Sequence, residues 1–158
     1  FTVTNTTAGS VSVTITADGV TLDDQPTITF AAGAISTTSS TVSPSPATDV
    51  TANGTDASTV TVTLVDANGN AISGVAPGEF TIDVGTNATA SAVSAGGAPG
   101  TYTFTVTSTT AETITVVVTA RTATLASQPT IEFVAGPVDP AQSMVTASPT
   151  EVTTGGSD

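Results

Sequence analysis

The sequence contains no cysteine, no histidine, no lysine and no tryptophan, and Arg121 is its only basic residue. Without histidine or cysteine, the chain cannot build a zinc, haem or iron–sulfur site of the usual kind, so we expect no metal site and no cofactor. Without cysteine it forms no disulfide, and without lysine or cysteine it forms none of the isopeptide or thioester cross-links that lock some surface domains. A net charge of −12 repels nucleic acid and anionic membranes, so we expect neither as a partner.

Long apolar runs are also missing. No run approaches the roughly 20 residues that a membrane-spanning helix needs. No signal peptide is present, so we expect any export signal to lie outside this fragment. Threonine and valine are abundant instead, and both are β-branched residues that favour strands over helices. Since no window places apolar residues at helical spacing, the composition predicts an all-β protein.

The clearest single strand lies within residues 53–70. From Thr59 to Leu64, threonine alternates with valine or leucine, which is the period of two of a half-buried strand. Asn68 and Gly69 follow, and both residue types tolerate positive φ. We therefore predict a tight type I′ turn at this pair.

Turn residues divide the rest of the chain into similar short segments. The alternating pattern predicts strands at 42–51, 59–66, 79–84, 89–94, 101–107, 113–119 and 130–134. Tyr102 lies on the core-facing side of its strand, and we expect a packed ring with its hydroxyl at the rim. Short strands with regular turns indicate a sandwich. We predict one antiparallel two-sheet immunoglobulin-like sandwich over residues 36–138, without a helix longer than a turn or two.

Two segments of the chain are copies of each other. Residues 1–35 and 104–138 are identical at more than half of their aligned positions. The similarity continues more weakly, with one gap, from 42–46 to 145–149 and from 53–56 to 155–158. A long period of this kind indicates a tandem array, and about 100 residues is the usual size of an immunoglobulin-like domain.

The repeat predicts three parts. Residues 36–138 form one complete copy, residues 1–35 are the last strands of a preceding copy, and residues 139–158 begin a following copy. Neither partial copy can bury both faces of its strands alone. We therefore expect the fragment to belong to a longer polypeptide in which flanking sequence completes both.

The residues also resemble a known family. The string from Asn53 to Asn70, followed by residues 72–74, resembles the bacterial Ig-like domain of group 1, which builds the extracellular rods of invasin- and intimin-type adhesins. Residues 42–46 and 129–136 match the same family. The resemblance implies an immunoglobulin-like sandwich at the cell surface with a spacer or adhesive role, and it supplies no catalytic residues. Similar domains occur in phage structural proteins and surface filaments.

Asp66, Asn68 and Asn70 have the oxygen spacing of a calcium loop. A helical-hand loop requires glycine at its sixth position and glutamate at its twelfth. Here the glycine is fourth, and the twelfth residue is Pro77. We interpret the three residues as part of a turn.

Asp23 and Asp24 are a second candidate, since paired acids could help to bind calcium between domains. Their counterparts in the complete copy are Ala126 and Ser127. A ligand that is present in only one copy is better explained as surface charge. We therefore predict no calcium site here.

Three asparagines, Asn5, Asn53 and Asn87, fit the N-glycosylation pattern. A threonine-rich chain produces such matches by chance, and their modification stays open. Asp49 and Asp56 are the only acids that suggest paired carboxylates for acid–base chemistry. Both lie in a linker-like stretch without an aromatic platform, so we interpret them as solvated acids and predict no catalytic residues.

These observations favour a structural rod segment of a long extracellular tandem-repeat protein that projects an adhesive tip. Its partners would be neighbouring repeats, with any host or surface receptor bound elsewhere in the full protein. One alternative is a binding module whose loops contact a receptor or glycan, and another is a subunit of a non-covalent surface or phage filament. Direct binding would require exposed aromatic or arginine residues. The sequence offers only Arg121, and it places every phenylalanine at a core-phase position. An enzyme lacks any convergent set of residues.

Overall fold

The computed structural model describes residues 1–148, 150–151 and 154–155. Part of the predicted third segment, residues 139–158, therefore lies outside the described residues, including most of 155–158. Within the described residues, the chain forms short strands and a single 3-10 turn at Pro77–Glu79. The strands are β1 Gly9–Ser12, β2 Thr16–Ala17, β3 Val20–Thr21, β4 Thr27–Phe30, β5 Thr41–Ser45, β6 Val50–Thr51, β7 Ser58–Thr63, β8 Phe80–Asp83, β9 Ala88–Ala90, β10 Ser94–Ala95, β11 Thr101–Ser108, β12 Glu112–Thr115, β13 Val117–Ala120, β14 Ala123–Thr124 and β15 Thr130–Val134.

Strands β5 to β15 form two layers. In one layer β11 pairs with β7 and β7 with β5, while β9 and β10 pair with β11. In the other layer β13 pairs with β8 and β14, and β12 pairs with β15, which also pairs with β6. This is the strand distribution of a constant-type immunoglobulin sandwich, so the predicted all-β fold class is confirmed.

The core lies between the two layers. Alternation along β7 buries Val60 and Val62, and the pattern continues to Leu64 just beyond the strand. From the opposite layer, Val118 and Ile131 are also fully buried. β-Branched side chains fill a pleated surface well, which is why a threonine- and valine-rich sequence builds this core.

Several predicted strands are divided in the structure. The segment 42–51 becomes β5 and β6, which belong to different layers, with Asp49 at φ 59° between them. Strand β6 pairs with β15 in parallel, so the prediction of a wholly antiparallel sandwich is wrong at this pair. The segment 113–119 also divides, because β12 and β13 pair with different neighbours on either side of Val116. Switching between partners interrupts a ladder without interrupting the hydrophobic alternation that was used for the prediction.

Residues 1–35 fold into the same local structures as the end of the complete copy, residues 36–138, which is here called the complete unit. Strands β1 and β4 pair from Gly9↔Phe30 to Ser12↔Thr27. Strands β12 and β15 pair at the positions that correspond in the repeat, from Glu112↔Phe133 to Thr115↔Thr130. The small hairpins β2–β3 and β13–β14 also share their register. The sequence repeat is therefore a structural repeat.

Candidate functional site

The loop that follows β7 is a hairpin loop closed by its own backbone. The amide of Asp66 donates to the carbonyl of Asn70 at 3.0 Å, and the amide of Gly69 donates to the carbonyl of Asp66 at 3.1 Å. Gly69 has φ 83°, whereas Asn68 is not among the residues with positive φ. The predicted type I′ turn, which requires positive φ at both residues, is therefore wrong. The loop is instead of the three-residue kind, in which a left-handed glycine ends the turn.

The carboxylate of Asp66 organises this loop. The residue is only 3% exposed. Its Oδ1 accepts hydrogen bonds from the backbone amides of Asn68 and Asn70, both at 2.9 Å. Its Oδ2 accepts from the Asn70 side chain at 2.9 Å and from the Gly33 amide at 2.8 Å. The Gly33 amide, followed by the Asn70 side chain, lowers the pKa of Asp66 to about 2.

Asn70 extends the same network to the first segment of the chain. Its Nδ2 donates to the carbonyl of Thr6 at 2.8 Å, and its Oδ1 accepts from the amide of Ala8 at 2.8 Å. Together with the bond to Asp66, these contacts use both amide hydrogens and the carbonyl oxygen of Asn70. Three hydrogen bonds thus join the Asp66–Asn70 loop to residues 1–35, and we call this region the junction.

Apolar contacts and the linker complete the junction. Ala32 and Ile35 are partly buried and pack against the core of the complete unit. The amide of Ser36 donates to the carbonyl of Val65 at 2.8 Å. The hydroxyl of Ser40 also donates to the Val65 carbonyl, at 3.2 Å, and accepts from the Val65 amide at 3.1 Å. Ser36 and Ser40 of the short linker are therefore both hydrogen-bonded to Val65 of the complete unit.

The residues that were considered as calcium ligands have other positions or partners in the structure. Both oxygens of Asp66 accept backbone or side-chain N–H groups, which is the bonding of a structural turn and not of a cation loop. Asp23 and Asp24 are exposed on the connection between β3 and β4. Within the described part of the chain, no three acidic residues come together as a metal-binding group. The absence of a metal site stays a prediction.

The sequon asparagines lie in turns or at the rim of the sandwich. Asn53 Oδ1 accepts from the amides of Thr55 and Asp56, at 2.8 and 2.7 Å. Asn5 Oδ1 accepts from the Thr7 amide in the same way, at 3.1 Å. These two side chains therefore cap their own turns.

The remaining candidate residues are dispersed over the sandwich. The side chain of the third sequon residue, Asn87, donates to Glu112 Oε2 at 3.2 Å. The acids that were considered for catalysis, Asp49 and Asp56, are exposed on separate loops on either side of β6. The absence of catalytic residues stays a prediction.

Tyr102 supports the segment after the junction loop. Its ring is buried, and its hydroxyl donates to the carbonyl of Ile72 at 3.0 Å and accepts from the amide of Val75 at 3.1 Å. The tyrosine therefore anchors residues 72–75 to β11. A buried tyrosine hydroxyl normally finds such partners.

Arg121 lies in the turn between β13 and β14, with φ 55°. Its Nε donates to Glu79 Oε1 at 3.1 Å. The amide of Ala76, and to a smaller extent Arg121, lowers the pKa of Glu79. The two side chains are about half exposed, so this ion pair contributes little to stability and is a poor anchor for a ligand.

Sequence reasoning missed the partners of the junction. Thr6, Ala8 and Gly33 contribute backbone groups, which carry no pattern of their own in a sequence. The repeat nevertheless contains a trace of them, because the counterparts are identical residues, Thr109, Ala111 and Gly136.

The chain is similar to one protein family and to several solved structures. A family model described as Invasin, domain 3, matches residues 36–136. The chain is also similar to the solved structure of Yersinia pseudotuberculosis InvD, at 24% identity and TM-score 0.69, covering 88% of this chain and 41% of that one. The Escherichia coli adhesin FdeC is similar at 23% identity and TM-score 0.68, covering 82% and 41%. Invasin, described as a bacterial integrin-binding protein, is similar at 30% identity and TM-score 0.64, covering 87% and 27%.

The chain spans less than half the length of each of these structures. The likenesses to InvD and FdeC, at under 25% identity, show the fold. No curated protein sequence matches the chain. Among the described residues, no helix is both long enough and apolar enough to cross a membrane.

Proposed function

The chain belongs to the family of invasin domain 3, whose model matches residues 36–136, and we propose that its complete immunoglobulin-like unit is a rod segment. In this proposal the unit is one stiff element of a longer extracellular protein at the cell surface. Its work is mechanical: it holds an adhesive tip away from the surface. It carries no catalytic role.

The observation that carries the proposal is the junction. A spacer transmits position only if the angle between its elements is restricted. Asp66 and Asn70 bond to Gly33, Thr6 and Ala8, while Ile35 packs against the next core. A polar network with nearly all groups satisfied, placed beside an apolar contact, favours one arrangement over many.

The surface of the complete unit also favours a spacer over a direct receptor module. The exposed large hydrophobic residues of the described chain are Phe1, Val20, Leu22, Val138, Met144 and Val145, and all except Val138, at the end of the unit, lie outside residues 36–138. Phe1 is 97% exposed, so the prediction that every phenylalanine occupies a core position is wrong for it. Interface energy is concentrated in buried aromatic and arginine anchors, and the complete unit exposes no cluster of them among its described residues.

We further propose that residues 1–35 and 139–158 belong to neighbouring units of the same kind. Support comes from the shared register of β1–β4 and β12–β15. Additional support comes from Leu22, which is 44% exposed where its counterpart Leu125 is fully buried. An apolar strand face with this exposure needs a covering layer.

The test is a reach experiment on cells. One to four copies of the complete unit are placed between a membrane anchor and a tip domain with a known ligand, and capture is measured on surfaces that carry brushes of increasing height. We expect capture to extend to higher brushes with each added copy. The control replaces the copies with a flexible Gly/Ser linker of equal residue number, which should gain reach more slowly because a random coil grows only with the square root of its length. The rod proposal would be contradicted if both spacers gained the same reach per added residue. It would also be contradicted if cells that display the copies without a tip domain were captured.

A further inference from the structure

The end of the complete unit that contains Thr109, Ala111 and Gly136, here called the distal end, repeats the acceptor side of the junction. These residues correspond, at the spacing of the repeat, to Thr6, Ala8 and Gly33. The strands that carry them have the same register in both copies, because β12–β15 reproduces β1–β4. The distal end therefore presents one carbonyl and two amide groups in the arrangement that the Asp66–Asn70 loop binds at the other end.

These groups have no occupant in the part of the chain that the structure describes. The Thr109 carbonyl and the Ala111 and Gly136 amides make no hydrogen bond there, whereas each counterpart bonds to Asp66 or Asn70. Ala111 is exposed, but Ala8 is half-buried. Backbone groups without a protein partner must be in contact with water. The distal end therefore has one acceptor and two donors available for hydrogen bonds to another part of the polypeptide.

An apolar difference accompanies the polar one. Ile35 packs against the core of the complete unit, while its counterpart Val138 is 83% exposed. The linkers also correspond: the amide of Ser40 donates to the carbonyl of Ser36 at 3.0 Å, and the amide of Ser143 donates to the carbonyl of Asp139 at 3.0 Å. The chain thus leaves the distal end through the same turn by which it enters the complete unit.

We propose that the distal end is a docking surface for the Asp-x-Asn-Gly-Asn loop of a following copy in the same chain. This inference rests on the proposed rod function and specifies how its elements lock. The carboxylate of the incoming loop accepts from the Gly136 amide, and the second asparagine bonds to Thr109 and Ala111. Val138 enters the core of the incoming copy, as Ile35 does at the junction.

The occupant comes from the same chain for a structural reason. In a second 158-residue molecule, the Asp66–Asn70 loop is already bonded to Thr6, Ala8 and Gly33 of its own chain. Such a molecule has no unengaged loop to offer. A following copy, entered through the 136–140 linker, brings an unengaged loop at high effective concentration.

The experiment duplicates residues 38–140 within the full chain, so that the first distal end keeps its own 136–140 linker and meets a second loop. The exchange rates of the Ala111 and Gly136 amides are measured by NMR in the original chain and in the first copy of the duplicated chain. We expect exchange at least about tenfold slower in the duplicated chain, because a hydrogen-bonded amide exchanges only when it opens. Asn70→Asp in the second copy should abolish the protection, since an aspartate cannot donate to the Thr109 carbonyl and repels Asp66. Asn68→Asp in the same loop adds the same charge at an exposed position and should preserve it.

The folding of each variant is checked by the exchange of the Val62 amide in the second copy. If Asn70→Asp fails this check, Asp66→Asn replaces it, because asparagine has one accepting oxygen for the four N–H groups that the two oxygens of Asp66 accept, and the expected loss of protection is the same. Small-angle scattering separates the two proposals. A duplicated chain that is longer by about one unit but leaves Ala111 and Gly136 unprotected overturns the docking surface and leaves the rod standing. A duplicated chain with freely varying angles overturns the rod. Concentration-dependent association of the original chain would overturn the assignment to a following copy.

Discussion

Residues 1–35 and 104–138 have closely similar sequences and the same strand pairing, but they bury their side chains differently. Leu125 is fully buried, and its counterpart Leu22 is 44% exposed. Ile131 is fully buried, whereas Ile28 is only partly buried. The difference arises because β13 and β15 are covered by the layer that contains β7 and β11. Strand pairing thus follows from local sequence, while burial requires a second layer from elsewhere in the chain.

Strand β8 of the complete unit has no counterpart among the described strand pairs of the first segment. In the complete unit, β13 pairs with β8, and Val118 lies opposite Ile82. In the first segment the counterpart of Val118 is Ile15, whose amide donates to the side chain of Gln25 at 3.0 Å. The side-chain amide of Gln25 in turn donates to the carbonyl of Leu22. These bonds lie on the hairpin side of the segment, where the amide of Leu22 donates to the carbonyl of Ile15, so the Gln25 side chain satisfies backbone groups within the hairpin.

The largest expected effect comes from truncating the same leucine in both segments. Leu125→Ala removes a fully buried side chain and should lower the free energy of unfolding of the complete unit by about 2–5 kcal/mol. Leu22→Ala removes a half-exposed side chain outside that core and should change it by less than about 0.5 kcal/mol. Urea denaturation of the two variants makes the comparison. Equal losses would mean that both segments share one core.

The second-largest expected difference between residues 1–35 and 104–138 is in the rate of amide exchange. We expect the amides of β1 and β4 to exchange at least about a hundredfold faster than those of β12 and β15, because local opening of an uncovered strand pair exposes little apolar surface. The measurement is made on the dilute chain, residues 1–158. If residues 1–35 are as protected as the complete unit, the faces of β1 and β4 are covered within the molecule and their assignment to a preceding unit is wrong.

The junction between the segments should respond to acid. The pKa of Asp66 in the folded chain is about 2, below the ordinary value near 3.9, so its bonds to Gly33 and Asn70 favour the folded arrangement above about pH 4. This contribution is lost as the pH falls through about 2. The amide chemical shift of Gly33 should therefore change as the pH falls through about 2, from about pH 3 to about pH 1, and Asp66→Asn should remove the change. Asp56→Asn, at an exposed acid outside the junction, should leave it intact.

The smallest expected effect is that of a chelator on the same junction. Because the oxygens of Asp66 accept N–H groups, we expect the Tm to stay within about 1 °C when EDTA is added. A cation that bound only the folded state would raise the Tm, and its removal would lower it. A fall of several degrees would restore Asp23, Asp24 and Asp66 as calcium ligands.

Much of the fold could be predicted from the residues alone. The alternation around Val60 and Val62 placed β7 and its core face correctly, since a period of two has one structural meaning in a chain without helical patterns. The resemblance to invasin-type Ig-like domains is confirmed by the family match to residues 36–136. The division of 42–51 into β5 and β6 was not predictable in the same way, because it depends on which neighbour each half meets.

The candidate site likewise has features that are predictable from local sequence and features that depend on tertiary contacts. Local residue order was enough to predict that Asp66 and Asn70 belong to a turn after an alternating strand, because the spacing of their oxygens and the position of Gly69 are local properties. It also determined that residues 1–35 and 104–138 adopt the same pairing. The hydrogen bonds of this loop's carboxylate and amide to Gly33, Thr6 and Ala8 become visible only in the folded chain. Those partners are backbone groups on another part of the chain, and a backbone amide or carbonyl is chemically the same at almost every residue. Packing and linker geometry therefore decide which backbone group comes within 3 Å of a given side chain. Neither can be deduced from the residues next to that group in the sequence.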